Sequence, residues 1–249
     1  MFNYLFSTED LIFNDYNLSE ILKIESVQRN LLPTFSTYSQ KVAGIDGELF
    51  QSSKLEPLEI EVRARAFVEN KNKLYQLRRF LAGKIYTRYP AKLEFKGNED
   101  LYYMAIPKGD IKFINNRKNA EFIITFIAFD PVANGKTVTV KNSGNKIRLN
   151  YEGTYETSGI LKLILEEKTN QIIVRDNNTF EHVKLINLKA QEGTKITIDY
   201  TQKRVTVNNN FAMTNVDYSS VFTNIKQGPN ELLLPNNCSA ELTFMERWL

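Results

Sequence analysis

The chain has one cysteine, one histidine and one tryptophan in 249 residues. A single thiol, Cys238, excludes an internal disulfide and gives no sign of an oxidising compartment. Its neighbours Asn236, Asn237 and Ser239 point to a turn, and a lone Cys is most often a small buried hydrophobe. One His and one Cys cannot supply the four N or S ligands of a structural zinc site. An excess of one charge is missing too: Lys plus Arg is 32 and Asp plus Glu is 29, and the resulting net +3 is dispersed with no basic block. Nucleic acid is therefore not an expected partner. Long hydrophobic runs are absent. The longest, 122–129, falls far short of the ~20 residues that span a bilayer and is interrupted by Thr125, so no membrane insertion is expected. The opening MFNYLFSTED has no basic residue before Lys23 and does not read as a secretory signal.

Catalytic constellations are scarce as well. No GxSxG elbow is present, and His182, beside Val183 and Leu185, fits an ordinary strand position rather than a Ser-His-Asp or Cys-His device. Asp176-Asn177-Asn178 lacks the acidic density and spacing of a calcium loop and reads as a turn. Glycoside hydrolysis needs two carboxylates across a cleft, but Asp46 belongs to a turn, and Glu166 and Glu167 are neighbours that point to opposite faces of a strand. No cofactor, metal or enzymatic activity is expected. Tyr151, Tyr155, Phe180, Tyr200, Phe211, Tyr218, Phe222 and Trp248 could stack on sugar rings, although aromatics of a β-rich chain mostly fill its core.

What is present is alternation. Residues 58–66 place Leu58, Ile60, Val62, Ala64 and Ala66 on one face and Glu59, Glu61, Arg63 and Arg65 on the other, a strand with one wet face. Short apolar pieces at 11–13 and 21–25 read as strands joined by turns at Asn14-Asp15 and Asn17. Val42, Ile45, Leu49 and Phe50 flank an Asp46-Gly47 turn signal, the chemistry of a tight hairpin. Asn70 is a candidate N-cap for one amphipathic helix over 70–83, with Leu74, Leu77, Phe80 and Leu81 on its packed face and Gly83 as its stop. Residues 91–95 and 101–106 flank Gly97-Asn98-Glu99-Asp100 as a hairpin, and 120–129 is apolar enough to be a central strand.

Asp130-Pro131 and Asn134-Gly135 form a breaker cluster that predicts a boundary, with domains at 1–133 and 134–249 and an exposed joint over 131–136. Beyond it, alternating runs at 137–140, 146–151, 160–165, 172–174, 182–186, 195–200 and 205–207 predict a β-sandwich with no obligatory helix.

The order of GIDGELF, a strand and one helix, followed by a strand running into Pro131, resembles the N-terminal half of the distal tail proteins (Dit) of long-tailed phages. The late segment Gly193 to Tyr200, then Lys203-Arg204-Val205, then Gly228-Pro229-Asn230-Glu231-Leu232, resembles the end of the same family. The resemblance implies a mainly β fold: an N-terminal sandwich-like domain with one helix, followed by a sandwich like a galectin or carbohydrate-binding module. It further implies a virion protein, assembled in the host cytoplasm, in which six copies form a ring. The ring would join the tail tube protein to a tail-tip protein, and the outward C-terminal domains would hold receptor-binding or other baseplate proteins. The compact C-terminal half leaves no room for an inserted arm or extra sugar-binding module, which argues against a directly host-adhering role.

Within that reading the expected subunit contact comprises Val42, Ile45, Asp46, Gly47, Leu49 and Phe50 of the hairpin with the charged row Glu61, Arg63 and Arg65. The rival readings are a monomeric carbohydrate-binding module protein that binds a glycan directly and a small β-sandwich hydrolase.

Overall fold

The computed structural model describes residues 10–97, 100–109, 112–116 and 119–249. The chain is mainly β and divides into two compact units between Ala133 and Asn134.

In the first unit, β1 (Asp10–Phe13) and β2 (Tyr16–Asn17) are joined by Asn14 and Asp15, both at positive φ (50° and 61°), which suits the right-handed twist of a two-residue hairpin. Asn17 then caps a single 3₁₀ turn through Ser19 N, and β3 (Lys23–Gln28) follows. β4 (Phe35–Gln40) and β5 (Leu49–Leu55) form a separate two-stranded sheet. β6 (Leu58–Phe67) shows the predicted alternation: Leu58, Ile60, Val62, Ala64 and Ala66 are buried. The remaining strands of this unit are β7 (Ala91–Lys96), β8 (Tyr102–Pro107), β9 (Lys112–Asn116) and β10 (Asn119–Ala128). β10 is central: it pairs antiparallel with β6 from Ala120↔Ala66 to Ala128↔Leu58, and also with β8 and β9. β3 covers the other edge of β6, while β7 pairs with β8 and β1. Phe13 and Phe126 meet in the core at 4.9 Å between ring centroids. The loop predicted at 97–100 does connect two paired strands, but its residues 98 and 99 lie outside the described ones.

The helix α1 spans Lys71–Ile85, with Asn70 Oδ1 accepting from Lys73 N at 2.9 Å. It does not stop at Gly83, which has no positive φ. Continuing through Gly83 costs about 1 kcal/mol, and burying Ile85 beside Leu81 returns about 2 kcal/mol, so the longer helix wins. Its packed face is narrower than predicted: Leu74, Leu81 and Ile85 are buried, Leu77 is half-buried and Phe80 is exposed. Phe80 instead meets Tyr16 edge-on at 5.8 Å, with Lys84 Nζ 4.5 Å from the Tyr16 ring centre.

The breaker cluster is not a linker. β11 (Ala133–Lys141) begins at Ala133 and carries Asn134 and Gly135 as strand residues, while Val132 is 1% and Ala133 2% exposed. Asn and Gly are poor strand formers, but ladder pairing overrides so weak a preference. Of the exposed joint expected over 131–136, residues 131–133 are instead buried, Asn134 and Gly135 are half-buried strand residues, and Lys136 alone is exposed.

The second unit adds β12 (Lys146–Tyr151), β13 (Gly159–Leu165), β14 (Ile172–Asp176), β15 (His182–Leu185), β16 (Lys195–Asp199), β17 (Arg204–Val207), β18 (Asn210–Phe211), β19 (Gly228–Leu233) and β20 (Cys238–Trp248). One sheet runs β18-β17-β16-β13-β20-β11 and the other β12-β19-β14-β15. Both contribute to one apolar core that includes Ile147, Leu161, Leu163, Val174, Leu185, Ile196, Ile198 and Leu242. Cys238 is buried at the start of β20 rather than in a turn. The Gly228-Pro229-Asn230 segment fixes the entry to β19. Gly228 sits at φ 94°, and Asn230 Nδ2 donates to Lys226 O (2.7 Å) and Gly228 O (2.8 Å).

Candidate subunit-contact surface

Cross-strand register pairs Phe35 with Leu55 and Tyr38 with Ser52, then shifts so that Ser39 meets Phe50 and Gln40 meets Leu49. The irregularity after Tyr38 is a bulge, which increases local twist. The strands do not close at Asp46-Gly47. They end at Gln40 and Leu49, and 41–48 form a longer loop in which Gly44 and Gly47 take positive φ (83° and 87°). Ser39 Oγ donates to Glu48 Oε2, and Lys41 Nζ lies 3.9 Å from Glu48 Oε1, tying the loop's base.

Val42, Ile45, Asp46 and Gly47 therefore stand in the loop, and Leu49 and Phe50 on β5. All six are exposed, with Ile45 at 63%, Leu49 at 58% and Phe50 at 63%. The flanks add exposed Phe35 and Tyr38, the latter with Lys54 Nζ 5.8 Å from its ring centre. Sequence reading passed over β4, since a strand reading FSTYSQ buries no face and so leaves no periodic signal.

The charged row is arranged differently. Arg63 Nε bonds Glu61 Oε1 at 3.0 Å, and Arg65 Nη1 lies 3.1 Å from Glu25 Oε1 on β3. Such half-exposed pairs are worth about 0–1 kcal/mol. Among the described residues, no hydrogen bond or ion pair joins this row to the hairpin loop within the subunit.

In the second unit, His182 Nε2 lies 3.2 Å from Ser219 Oγ, which donates to Asp217 Oδ1 at 2.5 Å. The three residue types of a hydrolase triad thus meet, but in the wrong order. The serine proton goes to the carboxylate and not to the imidazole, and the Ser219 hydrogen bonds hold the Asp217 carboxyl below its ordinary range, weakening it as a base. Of the nominated aromatics, Tyr151 and Tyr200 are buried, Tyr155, Phe222 and Trp248 are half-buried, and Phe180, Phe211 and Tyr218 are exposed. Asp176 Oδ1 accepts from Asn178 N at 2.7 Å and Thr179 N at 3.4 Å, the pattern of a side-chain-capped turn.

The model of a phage tail protein RIFT-related domain matches residues 16–128, and that of a siphovirus-type tail component, C-terminal domain, matches residues 152–248. The chain belongs to the Dit family of siphovirus-type phages. This family member is a structural protein of the phage tail and resides in the virion. Its fold is that of the SPP1 Dit protein, described as a paradigm of the hub adsorption apparatus in phages infecting Gram-positive hosts. The TM-score is 0.83 at 14% identity, over 98% of this chain and 100% of that one. A chain of the phage P2 baseplate in its activated conformation with Ca matches with a TM-score of 0.50 at 12% identity, over 96% of this chain and 97% of that one. Among curated proteins, none matches the sequence.

Proposed function

We propose that this Dit-family chain is the distal tail hub: six copies form a ring that joins the tail tube to the tail tip, and the second unit docks receptor-binding or other baseplate components. The observation that carries the reading is the isolated hairpin β4–β5. A two-stranded hairpin alone is marginally stable in water, yet this one presents Phe35, Ile45, Leu49 and Phe50 to solvent. A contact with the next copy covers such a patch, and a closed ring requires unlike surfaces to meet, which a sideways hairpin provides. Glu61, Arg63 and Arg65 then set register more than affinity.

The chain performs no bond chemistry in this role. Its sole histidine faces a serine whose proton is already committed to Asp217. The test is solution mass by light scattering for the wild type and for Ile45→Asp/Leu49→Asp. A hexameric mass that collapses to one subunit in the variant, with far-UV circular dichroism unchanged, supports the hub. Wild-type monomers at high concentration that bind a glycan panel would instead support the carbohydrate-binding reading.

A further inference from the structure

The small net charge hides a local excess. Residues 71–92 hold seven Lys and Arg and no Asp or Glu, whereas the rest of the chain holds 25 against 29. Polar and apolar residues separate these cations in sequence, but the helical period gathers them. Lys71, Tyr75, Arg78 and Arg79 follow one another at three- and four-residue steps as an exposed stripe beside the buried Leu74, Leu81 and Ile85, and Tyr86 continues it just past the last turn. Tyr75 is 57%, Tyr86 66% and Tyr89 78% exposed. Lys73 pairs with Glu69 and Lys92 with Glu94, but among the described residues no carboxylate pairs with Lys71, Arg79 or Arg88. Arg88 Nε instead donates to the Tyr86 hydroxyl at 3.0 Å, which holds the guanidinium beside that ring. The first turn of α1 has no acidic residue and carries Lys71 and Lys73, cations that oppose the helix dipole. A merely solvated surface mixes both signs, while Tyr and Arg are the residues enriched where proteins meet.

We propose that the exposed stripe of α1, with Tyr86, Arg88 and Tyr89 after it, is a docking surface for an acidic surface of another tail protein. The inference rests on the hub reading, in which adjoining tail proteins meet this chain. Charge complementarity selects an acidic partner, and the aromatics select a protein over nucleic acid. A duplex is held mainly by hydrogen bonds to its phosphates and sugars, which leave exposed ring faces without a role. A single strand would stack on the rings, but it is held in a groove, and one helix presents a convex ridge. Lys71 weakens the helix it begins, so its charge serves the contact and not the fold.

The experiment titrates the full chain with poly-L-glutamate and with a short DNA duplex by fluorescence anisotropy at several salt concentrations. The wild type should bind polyglutamate, more weakly as salt rises. Lys71→Glu/Arg79→Glu should lose about ten-fold or more in affinity. Lys168→Glu/Lys189→Glu, which reverses two exposed cations of the second unit and changes the net charge equally, should stay close to the wild type. Tyr75→Ala, with charge unchanged, should weaken binding several-fold. In urea unfolding, Lys71→Glu alone should raise the folding equilibrium constant about two- to five-fold, because it reverses a charge that opposes the dipole. Equal losses in the two charge-reversed variants, no binding by the wild type at low salt, or tighter binding of the duplex than of polyglutamate would each overturn the proposal. Light scattering on the same samples reads ring assembly separately: a monomeric wild type that still binds polyglutamate through α1 would sink the ring and leave this surface standing.

Discussion

Tyr151 shows how one side chain can fix a chain reversal. Its hydroxyl donates to Tyr155 O at 2.7 Å and accepts from Arg247 N at 2.8 Å, and burial pushes its phenol above the ordinary range. Gly153 makes this possible: a Cβ there would stand 2.2 Å from the hydroxyl and 2.6 Å from Arg247 O. Tyr151→Phe removes the hydroxyl partner of two part-buried backbone groups and should cost about 1–3 kcal/mol by urea unfolding, and Gly153→Ala should cost at least as much. Glu231 offers a pH test. Its hydrogen bond to Arg148, and then that to Lys146, holds the carboxyl below its ordinary value of 4.5. The folded state therefore favours the ionised form, and the contribution is present in full above pH 4.5 and lost as pH falls through the depressed value. The stability difference between wild type and Glu231→Gln should accordingly be constant at neutral pH and shrink only in acid. A difference that instead grows in acid would refute that assignment. Cys238 marks where residue-level reading failed. Two preceding asparagines suggest a turn, yet the backbone is already strand there, and the Cys238, Ala240, Leu242 and Phe244 face is buried.

At the scale of elements, strands with one wet face were legible from alternation and the central β10 from its apolarity, while strands with neither signal were not. β6, β12 and β13 announce themselves because burial alternates with every residue or nearly so. β4 is invisible because nothing buries it, and the Asn134-Gly135 pair hides the start of β11 because local chemistry there is overruled by pairing. The helix was recognisable from its cap and apolar spacing, but its end was set by burial of Ile85, which no propensity encodes. Removing the cap with Asn70→Ala should cost about 1 kcal/mol, and Leu81→Ala about 2–5 kcal/mol, both read by denaturant midpoint. The hairpin's sticky residues were named from sequence. That they stand on an isolated two-stranded sheet, unsupported by the rest of the subunit's strands, is a tertiary property that no local pattern reveals.

At the scale of the molecule, the two units meet in sequence at a strand and not at a loop. Limited proteolysis should therefore spare 131–136 and cut first in the exposed 41–48 loop; early cleavage at the boundary would contradict the burial of Val132 and Ala133. Cutting at 41–48 should also fall away when assembly covers the hairpin, an independent reading of the proposed ring. The same loop has a chemical clock. Gly47 offers no side chain to shield its amide nitrogen from the neighbouring Asp46 carboxyl, and in an exposed loop outside regular structure that nitrogen closes on the carboxyl, expelling water, to a cyclic imide that reopens largely as an isoaspartyl link. Asn134-Gly135, the more reactive of the two pairs in a free peptide because an amide is a better acyl donor than an ionised carboxylate, is restrained by β11. Peptide mapping of stored subunits should find isoaspartate at Asp46 well before deamidation at Asn134. Subunits that wait too long would then keep their fold but carry a kinked backbone at the contact proposed for the ring, so that under that proposal age, before unfolding, decides which copies can still join a particle.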